Sequence, residues 1–122
     1  MSHSVMVVDD SPLSRRMIAK AIAQVGDFAI TEIASGKEAI GRYKTHSFDI
    51  VFLDLTMPEI SGFDVINILK EFDPDIRIVV VSADRQRKTA ERLKSLGVAT
   101  VLSKPPDKSM IRQALDSIGG DP

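Results

Sequence analysis

"VMVVDDSPLSRRMIAKAIAQVG", residues 5–26, contains a complete strand–loop–helix unit. Val5, Met6, Val7 and Val8 form an unbroken apolar run, as expected of a short strand buried on both faces. Ser11-Pro12 offers a hydroxyl N-cap followed by proline at the first helical position. Leu13, Met17 and Ala21, with Ile18, Ile22 and Val25, then recur at helical spacing and predict an apolar stripe, which Gly26 ends. Between strand and helix stand Asp9 and Asp10, two carboxylates at the edge of what should be a core. That placement needs a reason.

The same alternation continues outward from this unit. Strand-like runs follow at "FAITEIA" (28–34), "DIVFLDL" (49–55), "IRIVVVS" (76–82) and "ATVLS" (99–103). The run at 28–34 alternates apolar and polar residues, which suits an edge strand with one wet side. Helical stretches separate the runs. One starts near Ser35-Gly36 with Ala39, Ile40 and Tyr43, and another follows Ser61-Gly62 with Phe63, Ile66 and Leu69 on its inner face before Asp73-Pro74. A fourth spans about Arg85 to Leu96 with only Ala90, Leu93 and Leu96 as apolar anchors. A fifth spans about Asp107 to Ile118, after which "GGDP" is expected to fray. Five βα units predict an α/β fold, an open parallel sheet with helices on both faces and right-handed crossovers. Ligands of such sheets bind at the carboxyl ends of the strands.

Composition narrows the function. At 122 residues, one domain is expected over 1–122. Cysteine is absent, which excludes disulfides, thiolate metal sites and cysteine nucleophiles. With His3 and His46 the only histidines, any metal would be a hard, oxygen-liganded ion. Sixteen basic and seventeen acidic residues give a net charge of −1, and nothing global points to nucleic acid or an anionic membrane. The N-terminus lacks a signal peptide's pattern, and no segment approaches a membrane span, so a cytoplasmic protein without membrane insertion is expected.

The chemistry collects at strand ends. Asp9 and Asp10 close the first run, Asp54 the third and Ser82 the fourth, and Lys104 follows the fifth. Each residue has a plain explanation taken singly: a turn or cap aspartate, a loop hydroxyl, a surface lysine. Asp54 resists this, because "IVFLDL" sets a carboxylate inside an apolar run. In a parallel sheet with strands about 4.8 Å apart, all of these side chains reach one rim. Three carboxylates brought that close repel one another unless a cation sits among them, and an oxygen-only set favours Mg²⁺. Asp54 could then act as ligand, nucleophile or both. A carboxylate attacking phosphorus forms an acyl phosphate, with Lys104 and Ser82 available to the phosphoryl oxygens.

The motifs "VVDDS", "DIVFLDLTMPEISG", "VVVSAD" and "SKP", in this order and spacing, resemble the receiver domain of two-component response regulators from Val5 to Ile118. The resemblance implies a flavodoxin-like sheet of order 2-1-3-4-5 and a stand-alone receiver with no output domain. It implies that Asp54 is the phosphoacceptor. Asp9, Asp10, Asp54 and the backbone carbonyl of Thr56 would hold Mg²⁺, and Ser82 and Lys104 would serve the phosphoryl group. It also implies a cis Lys104–Pro105 bond, and places Thr56 and Asp84 at the mouth of the site. The implied donor is a sensor histidine kinase or a histidine phosphotransfer protein. The implied output is altered binding of a separate protein through helix four, strand five and helix five, with the chain a monomer or a phosphorylation-dependent dimer. Arg15-Arg16 and the length lean toward chemotaxis regulators.

One position departs from the family. Three residues before the lysine, where receivers usually carry Tyr or Phe, stands Val101. Activation is then expected to run through the loop after Ser82 and through helix four. That helix carries Arg85, Arg87, Lys88, Arg92 and Lys94 against Glu91, but lacks the aromatics or groove-entering motif of a nucleic-acid reader. The expected protein is a signalling module and not an enzyme. A phosphorelay intermediate or a phosphate sink is the alternative. An aspartyl-phosphate phosphohydrolase is weaker still, because Ser11 stands where its second acid belongs and no cap can be accommodated.

Overall fold

The computed structural model describes residues 3–84, 86–98 and 100–119, so expectations placed on Arg85, Ala99, the side chain of Ile118 and residues 120–122 lie outside the described residues. Strands and helices alternate along the chain: β1 (His3–Val8), α1 (Pro12–Val25), β2 (Phe28–Ile33), α2 (Gly36–Thr45), β3 (Ile50–Asp54), α3 (Gly62–Phe72), β4 (Ile78–Ser82), α4 (Arg87–Ser95), β5 (Thr100–Ser103) and α5 (Lys108–Gly119). The five strands are parallel and ordered β2-β1-β3-β4-β5. This is the flavodoxin-like doubly wound sheet, with β2 on an edge as its alternation required.

Because successive strand side chains point to opposite faces, each central strand divides its apolar residues between two cores. Met6, Val8, Val51, Leu53, Ile78 and Val80 face α2, α3 and α4. Val5, Val7, Ile50, Phe52, Val79 and Val81 face α1 and α5. The near-continuous apolar runs in the sequence are the signature of this two-sided burial. Every residue of β3 and β4 is buried, including the terminal Asp54 and Ser82.

The helix starts follow the cap chemistry. The Ser11, Ser35 and Ser61 hydroxyls accept hydrogen bonds from the N–H groups of Ser14, Glu38 and Asp64. Asp107 does the same for α5, accepting from the Met110 N–H at 2.8 Å. Tyr43 of α2 is buried and donates to Asp73 at the end of α3, at 2.6 Å.

Three expected anchors are corrected. Leu13 and Met17 belong to the apolar stripe of α1, yet they are 73% and 51% exposed. The helix meets the sheet through Ile18, Ala19 and Ile22, leaving Leu13 and Met17 to one side, where with Ala21, Pro105 and Pro106 they line a groove of about 480 Å³. Ala90 of α4 is likewise exposed. Leu93 is the buried residue of that helix, with Leu96 partly buried behind it. Phe63 is half-buried, beneath the Arg92 guanidinium 3.8 Å from its ring centre. The α3–α4 contact is therefore partly a cation–π contact.

Candidate functional site

Parallel register brings the strand ends together. Val8 pairs with Leu53, Asp54 with Val81, and Ser82 with Ser103, so the residues at these ends share one rim. Asp9, Asp10 and Asp54 each bring a carboxylate oxygen within 4.8 Å of the others. Asp9 and Asp54 are buried and Asp10 is exposed. Lys104 lies between the buried pair, its Nζ 2.9 Å from Asp9 Oδ2 and 3.3 Å from Asp54 Oδ1.

Asp9 is held from several sides. Its Oδ1 accepts from the Ser11 N–H at 2.9 Å, its Oδ2 accepts from the Ser14 hydroxyl at 2.6 Å, and Arg15 Nη1 donates to its backbone carbonyl at 2.8 Å. With Ser14 and Lys104 both on Oδ2, the remaining acceptor capacity of this carboxylate lies on Oδ1. Arg15 also pairs with Glu32 of β2, at 3.4 Å. Ser14 and Arg15 were not foreseen as parts of the site. Only the helical spacing of Ser14 from its own cap hinted that it faces the rim, and a hydroxyl there reads equally well as solvent-exposed.

The electrostatics at Asp54 are mixed. Burial raises its pKa above the ordinary carboxylate range, Lys104 opposes this, and the negative charges of Asp9 and Asp10 add to the rise. Lys104 has the reverse balance: burial disfavours its ammonium, but the Asp9 hydrogen bond and the charges of Asp54 and Asp9 outweigh this and push its pKa up. The rim is thus short of positive charge, with buried acids that repel one another. An oxygen-only set with such a deficit fits a hard divalent ion such as Mg²⁺.

The loop beyond Asp54 is set by close approach. A Cβ on Gly62 would lie 2.6 Å from Leu55 Cα and 3.0 Å from the Asp54 carbonyl oxygen, so only glycine lets α3 start there, with its N–H bonded to Leu55 O at 2.9 Å. Thr56 is exposed at the mouth of the site. The Lys104–Pro105 bond is cis, as expected. Ser82 is buried and its Oγ accepts from the Asp84 N–H at 3.0 Å. The exposed Asp84, expected at the mouth of the site, accepts from the Gln86 N–H and the Thr89 hydroxyl at the start of α4. Val101, at the position where an aromatic is usual, is 45% exposed.

Residues 5–116 match the response regulator receiver domain family. Chemotaxis protein CheY of Thermotoga maritima is 33% identical over 118 residues, covering 97% of this chain and 98% of that protein. Polar-differentiation response regulator DivK of Brucella suis is 29% identical over 124 residues, covering 99% of each. Among solved structures, a chain of the CheX–CheY–BeF3–Mg²⁺ complex from Borrelia burgdorferi superposes with a TM-score of 0.87 at 29% identity, over 96% of this chain and 89% of that one. No helix among the described residues is long and apolar enough to cross a membrane.

Proposed function

The chain belongs to the response regulator receiver domain family, and we propose that it accepts a phosphoryl group on Asp54 from a phosphohistidine of a sensor kinase or a histidine phosphotransfer protein. The observation that carries this reading is the convergence of Asp9 and Asp10, after β1, with Asp54 at the end of β3, with Lys104 bridging the two buried acids. A carboxylate oxygen of Asp54 attacks phosphorus, the P–O bond forms, and the P–N bond to the donor imidazole breaks with its electron pair remaining on nitrogen. Mg²⁺ supplies charge neutralisation for the phosphoryl oxygens when bound, and Asp9, Asp10, Asp54 and the Thr56 carbonyl are the groups that would hold it.

The remaining steps use the chain's own side chains. Lys104 leaves its shared position between Asp9 and Asp54 to pair with a phosphoryl oxygen, and Ser82 turns its hydroxyl toward another. The groove beside the rim, with Leu13 and Met17 exposed, offers an apolar seat for a helix that presents the donor histidine. The output is a changed surface on α4, β5 and α5, read by a separate protein in the cytoplasm.

The test is stoichiometric. With Mg²⁺ and a small-molecule phosphodonor, the protein takes up one phosphate per chain in a hydroxylamine-labile bond, and Asp54→Asn takes up none. Undiminished uptake by Asp54→Asn overturns the assignment. Sustained phosphomonoester turnover would identify a hydrolase.

A further inference from the structure

We infer that Asp84 is the positioning residue that ties the state of Ser82 to α4, by a hydrogen-bonded chain from Ser82 through Asp84 to Thr89. This rests on the phosphoacceptor reading above and names the side chain by which the loop after Ser82 holds the start of α4.

The chain is continuous. Ser82 Oγ accepts from the Asp84 N–H at 3.0 Å, Asp84 Oδ1 accepts from the Gln86 N–H at 2.9 Å, and Asp84 Oδ2 accepts from the Thr89 hydroxyl at 2.7 Å. Gln86, the N-cap residue of α4, makes no side-chain cap hydrogen bond. The carboxylate two residues earlier satisfies the start of the helix instead. The Gln86 N–H and the Thr89 hydroxyl also hold the Asp84 carboxyl below the ordinary range, so it is ionised at neutral pH.

Consider what happens when the Ser82 hydroxyl turns to a phosphoryl oxygen. Its lone pair no longer meets the Asp84 N–H, and the Asp84 backbone is freed to move. That backbone carries the carboxylate to which the first turn of α4 is tethered, so the helix start moves with it. Resistance is small, because Leu93 is the buried residue of α4. There is also room: a cleft of about 150 Å³ lies under the first turn, lined by Ser82, Thr89, Leu93, Val101 and Leu102 among others. Among the described residues no aromatic ring lines it, and Val101 stands there half-exposed. The tether replaces the ring as the mechanical link.

Amide chemical shifts in the full-length protein, with and without Mg²⁺ and beryllofluoride, separate the possibilities. In the unaltered protein the additions should shift resonances both around Asp54 and Ser82 and along α4. Thr89→Val keeps side-chain volume but removes the hydroxyl. Its site resonances should respond as before, while its α4 response falls to about a quarter or less, and beryllofluoride affinity holds or tightens up to roughly tenfold because site and helix no longer work against each other. Thr89→Ser, which keeps the hydroxyl, should restore the α4 response; this readout separates coupling from simple capping. An α4 response of full size in Thr89→Val overturns the inference, as does failure of Thr89→Ser to restore it if Thr89→Val frays α4 before any addition. Absence of any response in the unaltered protein would instead count against the phosphoacceptor reading itself.

Discussion

On the β1–β3 side of the rim, Asp9 is buried and held by Ser11, Ser14, Arg15 and Lys104, and Asp54 closes a fully buried strand. On the β4–β5 side, α4 rests on one buried side chain, β5 is four residues long, and Val101 is open to solvent. The first region is over-determined and the second barely determined. Phosphoryl transfer demands fixed geometry to within fractions of an ångström. A signalling surface demands two arrangements close in free energy. The difference in anchoring follows that division of labour.

Substitutions can break the contrast or sharpen it. Leu93→Ala should have the largest effect, about 3 kcal/mol. The loss should fall first on α4, seen as lost amide-exchange protection there while β1 and β3 stay protected. Equal loss of protection across the sheet would show that α4 is not an independent unit. Lys104→Ala leaves Asp9 and Asp54 without their shared cation and should cost about 2 kcal/mol, trimmed because the lysine is partly solvated. Mg²⁺ should return most of that stability in a thermal melt, and no recovery would argue against an ion among the acids.

Asp54→Asn should work in the opposite direction. The raised pKa of Asp54 means that its ionised form is disfavoured by folding, so this strain is present above the folded-state pKa and absent once the carboxyl is protonated. The variant should be the more stable of the two at pH 7. Denaturant titrations should show the gain shrinking as pH falls through the acidic range. A gain that persists at low pH would point to packing and not charge. The smallest effect is expected at Glu59, a non-glycine residue at φ 71 in the loop between Asp54 and α3. Glu59→Gly should stabilise by about 0.5–1 kcal/mol by relieving left-handed backbone strain, measured as a shift in denaturation midpoint.

Much of this was legible beforehand, for identifiable reasons. Apolar runs as short and β-branched as Ile78–Val81 read as two-sided strands, and Ser11-Pro12, Ser35-Gly36 and Ser61-Gly62 mark helix starts by local chemistry that needs no tertiary partner. Asp54 stood out because a carboxylate is out of place in a buried run. What misled was periodicity, since Leu13 and Met17 share the helical spacing of Ile18 and Ile22 but not their burial. A stripe about 100° wide covers more of a helix than one sheet contact uses.

The alternation of strands and helices, and the acids that stand at strand ends, follow from local pattern, because they depend on residues near one another along the chain. It took the folded arrangement to set Lys104 between Asp9 and Asp54, to bring Ser14 and Arg15 onto Asp9, and to turn Asp84 to Thr89. Those choices turn on which donors come within hydrogen-bond reach of a given oxygen. That depends on strand register and helix placement at the scale of an ångström, which no local pattern encodes.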